Sequence, residues 1–170
     1  MRIKIHLIVL IVMAVPVLVR AQANSCVDCH LKLDGELKAP AVNYVQDAHA
    51  IFGLQCKDCH GGNPAAADED KAKDKTFKGA PKRAQIPEFC GRCHADAAYM
   101  RTANARLRVD QLDQYWTSKH GQQLKKGDPK VAVCTDCHGH HDIQSSKFPK
   151  SSTFPWNVAA TCGRCHGDAA

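Results

Sequence analysis

The chain has 170 residues, a formal charge of +6 and ten cysteines, and aromatic residues make up only 6% of it. Its 44% apolar share comes largely from one N-terminal run, from alanines and from the cysteines, so it is too poor in large side chains to pack an ordinary core. The lysines are scattered with no aromatic residues between them, which argues against a nucleic-acid-binding surface.

Taken in chain order, residues 1–23 read as a cleaved signal peptide. Arg2 and Lys4 make a basic start, residues 7–19 (LIVLIVMAVPVLV) an apolar run closed by Arg20, and Ala21-Gln22-Ala23 a cleavage site. The run is shorter than the roughly 20 residues that span a bilayer, and a retained membrane anchor is the alternative. Export places the mature chain, from Asn24, in the periplasm or outside the cell. Arg2, Lys4 and Arg20 leave with the signal, which takes the formal charge to about +3.

Five copies of Cys-x-x-Cys-His then account for all ten cysteines. They are Cys26, Cys29 and His30; Cys56, Cys59 and His60; Cys90, Cys93 and His94; Cys134, Cys137 and His138; and Cys162, Cys165 and His166. Between them, residues 61–88 and 144–157 are rich in Gly, Pro, Ser, Lys and Asp and read as solvated loops. Residues 95–119 are expected to form one helix, with Leu107, Leu112, Tyr115 and Trp116 at roughly helical spacing. Short helical turns are expected at the motifs. The expected fold class is mostly α, with extensive irregular loops and few or no strands.

The motif spacing has a chemical reason. Two thiols add to the two vinyl groups of one porphyrin, so they must lie close together on one turn. The histidine that follows sits under the iron as its proximal ligand. Zinc ribbons and disulfide scaffolds also use paired cysteines, but neither needs a histidine after every second one. Five c-type haems, with iron held by His30, His60, His94, His138 and His166, are therefore expected. Their propionates would bring the reduced protein to a charge of roughly −7. At about 29 residues per haem, the porphyrins must form most of the core, and the haem-free chain should be largely unfolded.

The motifs repeat. QCKDCHGG with EFCGRCHADAA, and VCTDCHGH with ATCGRCHGDAA, mark a duplicated two-haem unit over about 49–98 and 120–170, behind the first motif; together these make one pentahaem domain over 24–170. In the second copy the chain stops just after the shared word. Two readings stay open: a natural end, or a unit of a longer array, an oligomer or a larger complex.

Each iron has a second axial position. With His6 in the signal peptide, the histidines outside the motifs are His49, His120, His140 and His141. His49 (in DAHA) and His120 (in SKHG) hold matching positions in the repeat, which suggests a shared role as distal ligands; His141 and His140 follow the fourth motif and are further candidates. Four candidates cannot serve five irons. One iron must take Met100, take a weaker ligand, borrow one from another chain or stay open, and the unassigned position is expected near His166.

The DCHG and CGRCH words, the SKHG element and the CHGHHDI run resemble bacterial low-potential multihaem c-type cytochromes with doubled Cys-x-x-Cys-His motifs. The resemblance covers essentially all of residues 26–170. It implies distal ligation by His120 and His141, with His49 as the degenerate equivalent. It also implies redox protein partners, including a membrane quinol-oxidising complex as donor. An electron carrier or relay needs no acid/base constellation and is the leading reading, with no catalytic residues. A reductase of a small oxyanion at an open haem is the alternative; Tyr99, Lys119 and Arg164 would be its nominal proton donors, though nothing in the sequence groups them. A haem-filament or complex subunit is a third reading.

Overall fold

The computed structural model describes residues 24–167, so the expected signal peptide lies outside the described residues. The described chain is helical, without strands. Its eleven α-helices are α1 (Ser25–His30), α2 (Gly35–Asn43), α3 (Ala48–Ile51), α4 (Cys56–His60), α5 (Glu69–Ala72), α6 (Ile86–His94), α7 (Ala97–Ala103), α8 (Gln111–Thr117), α9 (Lys119–Lys125), α10 (Cys134–His138) and α11 (Val158–His166). Two 3-10 turns, Tyr44–Gln46 and Arg83–Gln85, complete it. None of the α-helices exceeds nine residues. Helices this short do not persist on propensity alone.

Little apolar burial supports them. Among the described residues the buried hydrophobic side chains are Ala41, Leu124 and Val133, while Leu37, Val45, Ile51 and Trp156 stand 60–88% exposed. Polar capping does much of the local ordering instead. Asp58 and Asp136, at the third position of α4 and α10, accept from the N–H groups of Gln55 (2.6 Å) and Val133 (2.7 Å). These are the same device in the two copies of the repeat.

The continuous helix expected over 95–119 is broken. α7 stops at Ala103, where Asn104 turns extended and its side-chain oxygen accepts from Arg106 N–H at 2.9 Å. This local bond competes with the helix ladder. Leu107 is accordingly exposed, and α8 starts afresh at Gln111. The loop expected over 61–88 likewise contains α5, capped by Asp68 and tied by a Lys73–Glu69 pair at 2.6 Å, and the Arg83–Gln85 turn.

Candidate haem sites

Each motif lies on a helix: α1, α4, α6, α10 and α11. On a helix the two cysteines are three residues apart and the histidine one further, so all three share a face. The geometry required for two thioether bonds and one iron ligand is therefore set by local backbone.

Three of the motif histidines face a second histidine. His49 stands opposite His94 with ring centres 5.9 Å apart, His141 opposite His60 at 6.0 Å, and His120 opposite His166 at 6.0 Å. A metal–imidazole bond is about 2 Å long, and the ring centre lies about one further ångström behind the nitrogen. Two imidazoles on one iron therefore have centres about 6 Å apart, which is the spacing found at all three pairs.

The pairing follows the repeat. In each copy the histidine ahead of the first motif faces the histidine of the second: His49 with His94, and His120 with His166. His141 crosses between copies, from the second to the first. In the first copy the position that matches His141, three residues past the motif histidine, is Asn63, so that copy offers His138 no histidine in return. The position expected to lack a partner was His166; the structure instead leaves His30 and His138 without a facing histidine ring among the described residues. His140 lies exposed beside His141, the two Nδ1 atoms sharing a proton at 3.0 Å. Met100 sits on α7, packed on α6 behind the third motif.

Local structure explains the words that carry the facing histidines. In SKHG, Ser118 caps α9 by accepting from Gly121 N–H at 3.1 Å, and the bare Gly121 α-carbon lies against the Tyr115 carbonyl. In DAHA, Asp47 caps α3 by accepting from His49 N–H at 2.7 Å. Either way a cap two residues ahead fixes the histidine in the first turn of a helix. Tyr44, whose hydroxyl donates to the Leu54 carbonyl, closes the segment around His49.

Ring protons are also directed. The Nδ1–H groups of His30 and His60 donate to the carbonyls of Leu37 (2.6 Å) and Gly79 (3.0 Å), and that of His49 to Asp47 Oδ1 (2.9 Å). Each bond leaves the other ring nitrogen bare for a metal. Burial, then the neighbouring His49 and His138, hold His94 below the ordinary imidazole range. Burial, then His140 and His60, do the same for His141. An imidazole must be unprotonated to bind a metal, and burial favours that form in both rings.

The thiols of successive motifs adjoin in chain order. Burial and then the nearby Cys26 thiol raise Cys56; burial raises Cys59, with Arg92 opposing it and Cys93 adding to it. The Cys90 thiol hydrogen-bonds Cys134, which raises the first and lowers the second. Burial, Asp136 and then Cys162 raise Cys137. A thiol of each motif is thus within electrostatic reach of one in the next, from the first through to the fifth, and the third and fourth are hydrogen-bonded. The arginine of each CGRCH word ties its motif to the preceding one: Arg92 donates to the Cys59 carbonyl (3.4 Å) and Arg164 to that of Asp136 (2.6 Å).

The family model for cytochrome c3 matches residues 48–167, most of the chain. The chain belongs to the cytochrome c3 family. The model for cytochrome c554 and c-prime matches residues 13–61, which include the first two attachment motifs. No curated protein and no solved structure matches the chain. As a multihaem c-type cytochrome of the c3 family, the protein binds c-type haem and transfers electrons. Tyr99, Lys119 and Arg164 lie on three different helices, α7, α9 and α11.

Proposed function

We propose that the mature chain, from Asn24, carries five c-type haems and passes low-potential electrons along them in sequence order, in the periplasm or outside the cell. Ten cysteines supply the thioether links and His30, His60, His94, His138 and His166 the proximal iron ligands. His49, His141 and His120 supply the distal ligands opposite His94, His60 and His166. Each haem contributes an iron that gains or loses one electron at a time. The protein's part is to hold the ligands, exclude water and set each potential. Two-histidine ligation saturates the iron and avoids the rise in potential that methionine brings. The order first to fifth rests on the adjoining thiols. Redox proteins at the two ends complete the relay, with a membrane quinol-oxidising complex as donor.

The three histidine pairs near 6 Å carry this reading. Intact mass should give five haems on a chain beginning at Asn24. Substitutions His49→Ala, His120→Ala and His141→Ala should each convert one low-spin haem to high-spin in the oxidised spectrum. A smaller haem count, or wholly unchanged spectra in all three variants, would sink it.

A second reading has its own observation. His30 and His138 face no histidine among the described residues, and His138 borders a cavity of ≈ 170 Å³ lined also by Asp142, Gln144, Lys150, Ser152 and Arg164. An iron on His138 would stand beside two cationic side chains and one carboxylate, a net positive lining that suits reduction of a small oxyanion. A high-spin fraction in the unsubstituted protein that shifts on adding nitrite or cyanide would favour it.

A further inference from the structure

The two copies of the repeat present their facing histidines in the same way, with one difference. Asp47 and Ser118 occupy the same place, two residues ahead of His49 and His120, and both cap the helix that follows. Asp47 does more than cap. Its side chain is 2% exposed, and Oδ1 accepts both His49 N–H (2.7 Å) and His49 Nδ1–H (2.9 Å). Oδ2 accepts Ile143 N–H at 2.8 Å, while Ala48 N–H donates back to the Ile143 carbonyl at 2.7 Å. Ser118 has no charge, and its hydroxyl turns away to donate to the Tyr115 carbonyl at 2.6 Å.

A buried carboxylate bonded to a ligating imidazole makes that imidazole a stronger donor and sets a negative charge close to the metal. Both effects favour the ferric state. Reduction adds one electron, supplied by a neighbouring haem or a redox partner, and takes ferric iron to ferrous. No bond breaks and no proton moves. We propose that Asp47 is a positioning residue that lowers the reduction potential of the iron held between His49 and His94 below that of its repeat counterpart between His120 and His166. Through Ile143 the same carboxylate anchors the strap that carries His141, so it also keeps the second and third sites in register. The proposal rests on the reading that His49 and His94 share an iron.

The test uses the haem-loaded protein and follows each haem's midpoint by potentiometric titration, with spin state read from absorption and electron paramagnetic resonance. Asp47→Ser copies the second repeat: it keeps a helix cap and removes the charge. It should raise one midpoint by at least the equivalent of a tenfold change in the reduction equilibrium, about 59 mV for one electron, without changing any spin state. Ser118→Asp is the reciprocal and should lower a different midpoint; it remains informative if the Asp47 variant fails to take up its haems. Unmoved midpoints in Ser118→Asp and in any Asp47→Ser that loads its haems would overturn the proposal. So would an Asp47→Ser protein that only turns one haem high-spin, since Asp47 would then merely hold the ring. His49→Ala separates the two levels. If it leaves every haem low-spin, the ligation reading has failed; if it turns one high-spin while the midpoints stay put in the other variants, only the role of Asp47 has failed.

Discussion

The glycine of each DCHG word is needed for its backbone. Gly61 and Gly139 end α4 and α10 at φ +70°, ψ −158° and φ +76°, ψ −168°. That region is open to glycine and almost nothing else. There is no room for a side chain either: a Cβ on Gly61 would run into the Thr76 carbonyl, and one on Gly139 into the Asp142 carboxylate. The sharp turn lets the chain leave the motif at once; in the first copy it returns to give His60 its Gly79 partner. Gly61→Ala should therefore lower the stability of the holoprotein by on the order of 3 kcal/mol, the strain and the clash acting together. Gly35→Ala is the control. Its φ of +56° is left-handed but it has open space around it, so about 1 kcal/mol is expected. Chemical denaturation followed at the Soret band would measure both; equal losses would show that the clash with Thr76 does not matter.

At the scale of elements, the repeat shows which contacts belong to the attachment word and which to its surroundings. Gly91 and Gly163 are the same glycine of CGRCH. Gly91 is buried against α8, where a Cβ would come within 2.5 Å of Leu112 Cδ2; around Gly163 there is open space. Gly91→Ala should destabilise by about 1–3 kcal/mol through overpacking. Gly163→Ala should stabilise by up to about 1 kcal/mol through helix propensity. Opposite signs in one thermal-melt series would confirm that α8 packs on the attachment helix α6 of the first copy and leaves that of the second, α11, uncovered at Gly163. Between the copies runs the Arg83 guanidinium, which donates to both oxygens of Asp136 (3.2 and 2.5 Å) and to the Val131 carbonyl (2.8 Å). Burial alone would raise the Asp136 carboxyl; Arg83 and the Val133 N–H outweigh it and hold it low. The pair is more than a third exposed on the arginine side, so Arg83→Leu should cost only about 1 kcal/mol in the same melts. A loss several times larger would mean that the pair is screened from water when the haems are present.

These elements also show what could be read beforehand. The helical class, the duplication and the matching of His49 with His120 follow from short words whose spacing is local. The break at Asn104 turns on one side-chain bond that competes with a good helical pattern. The facing of His141 on His60 depends on how the two copies fold onto each other, and that of His120 on His166 on how the second copy folds back on itself, and pairings that distant leave no spacing in the sequence. The role of Asp47 could have been suspected from its place two residues before His49. Its bond to Ile143, 96 residues away, could not.

For the molecule as a whole, the question is what holds eleven short helices together. Among the described residues the buried apolar side chains are one valine, one leucine and one alanine. So few buried side chains do not offset the backbone entropy lost on ordering the described residues. Capping bonds and partly exposed ion pairs add only about a kilocalorie each. The missing apolar surface must come from the porphyrins, against which side chains such as Ile51 and Trp156, exposed in the protein chain alone, are available to pack. Folding is then coupled to haem attachment, as in small domains that fold only around their metal. A chain with all ten cysteines replaced by serine cannot form the thioether links, and its far-ultraviolet circular dichroism should show little helix and no cooperative melt. The haem-loaded chain should show the helix content of residues 24–167 and one cooperative transition. Stepwise loss of single motifs tests the same coupling more finely. Removing the thiols of the third motif, whose Cys90 touches Cys134 and whose His94 faces His49, should cost more stability than removing those of the first, whose histidine faces no other among the described residues. Equal losses would mean that each haem stabilises only its own helix, and that the adjoining thiols do not weld the five sites into one unit.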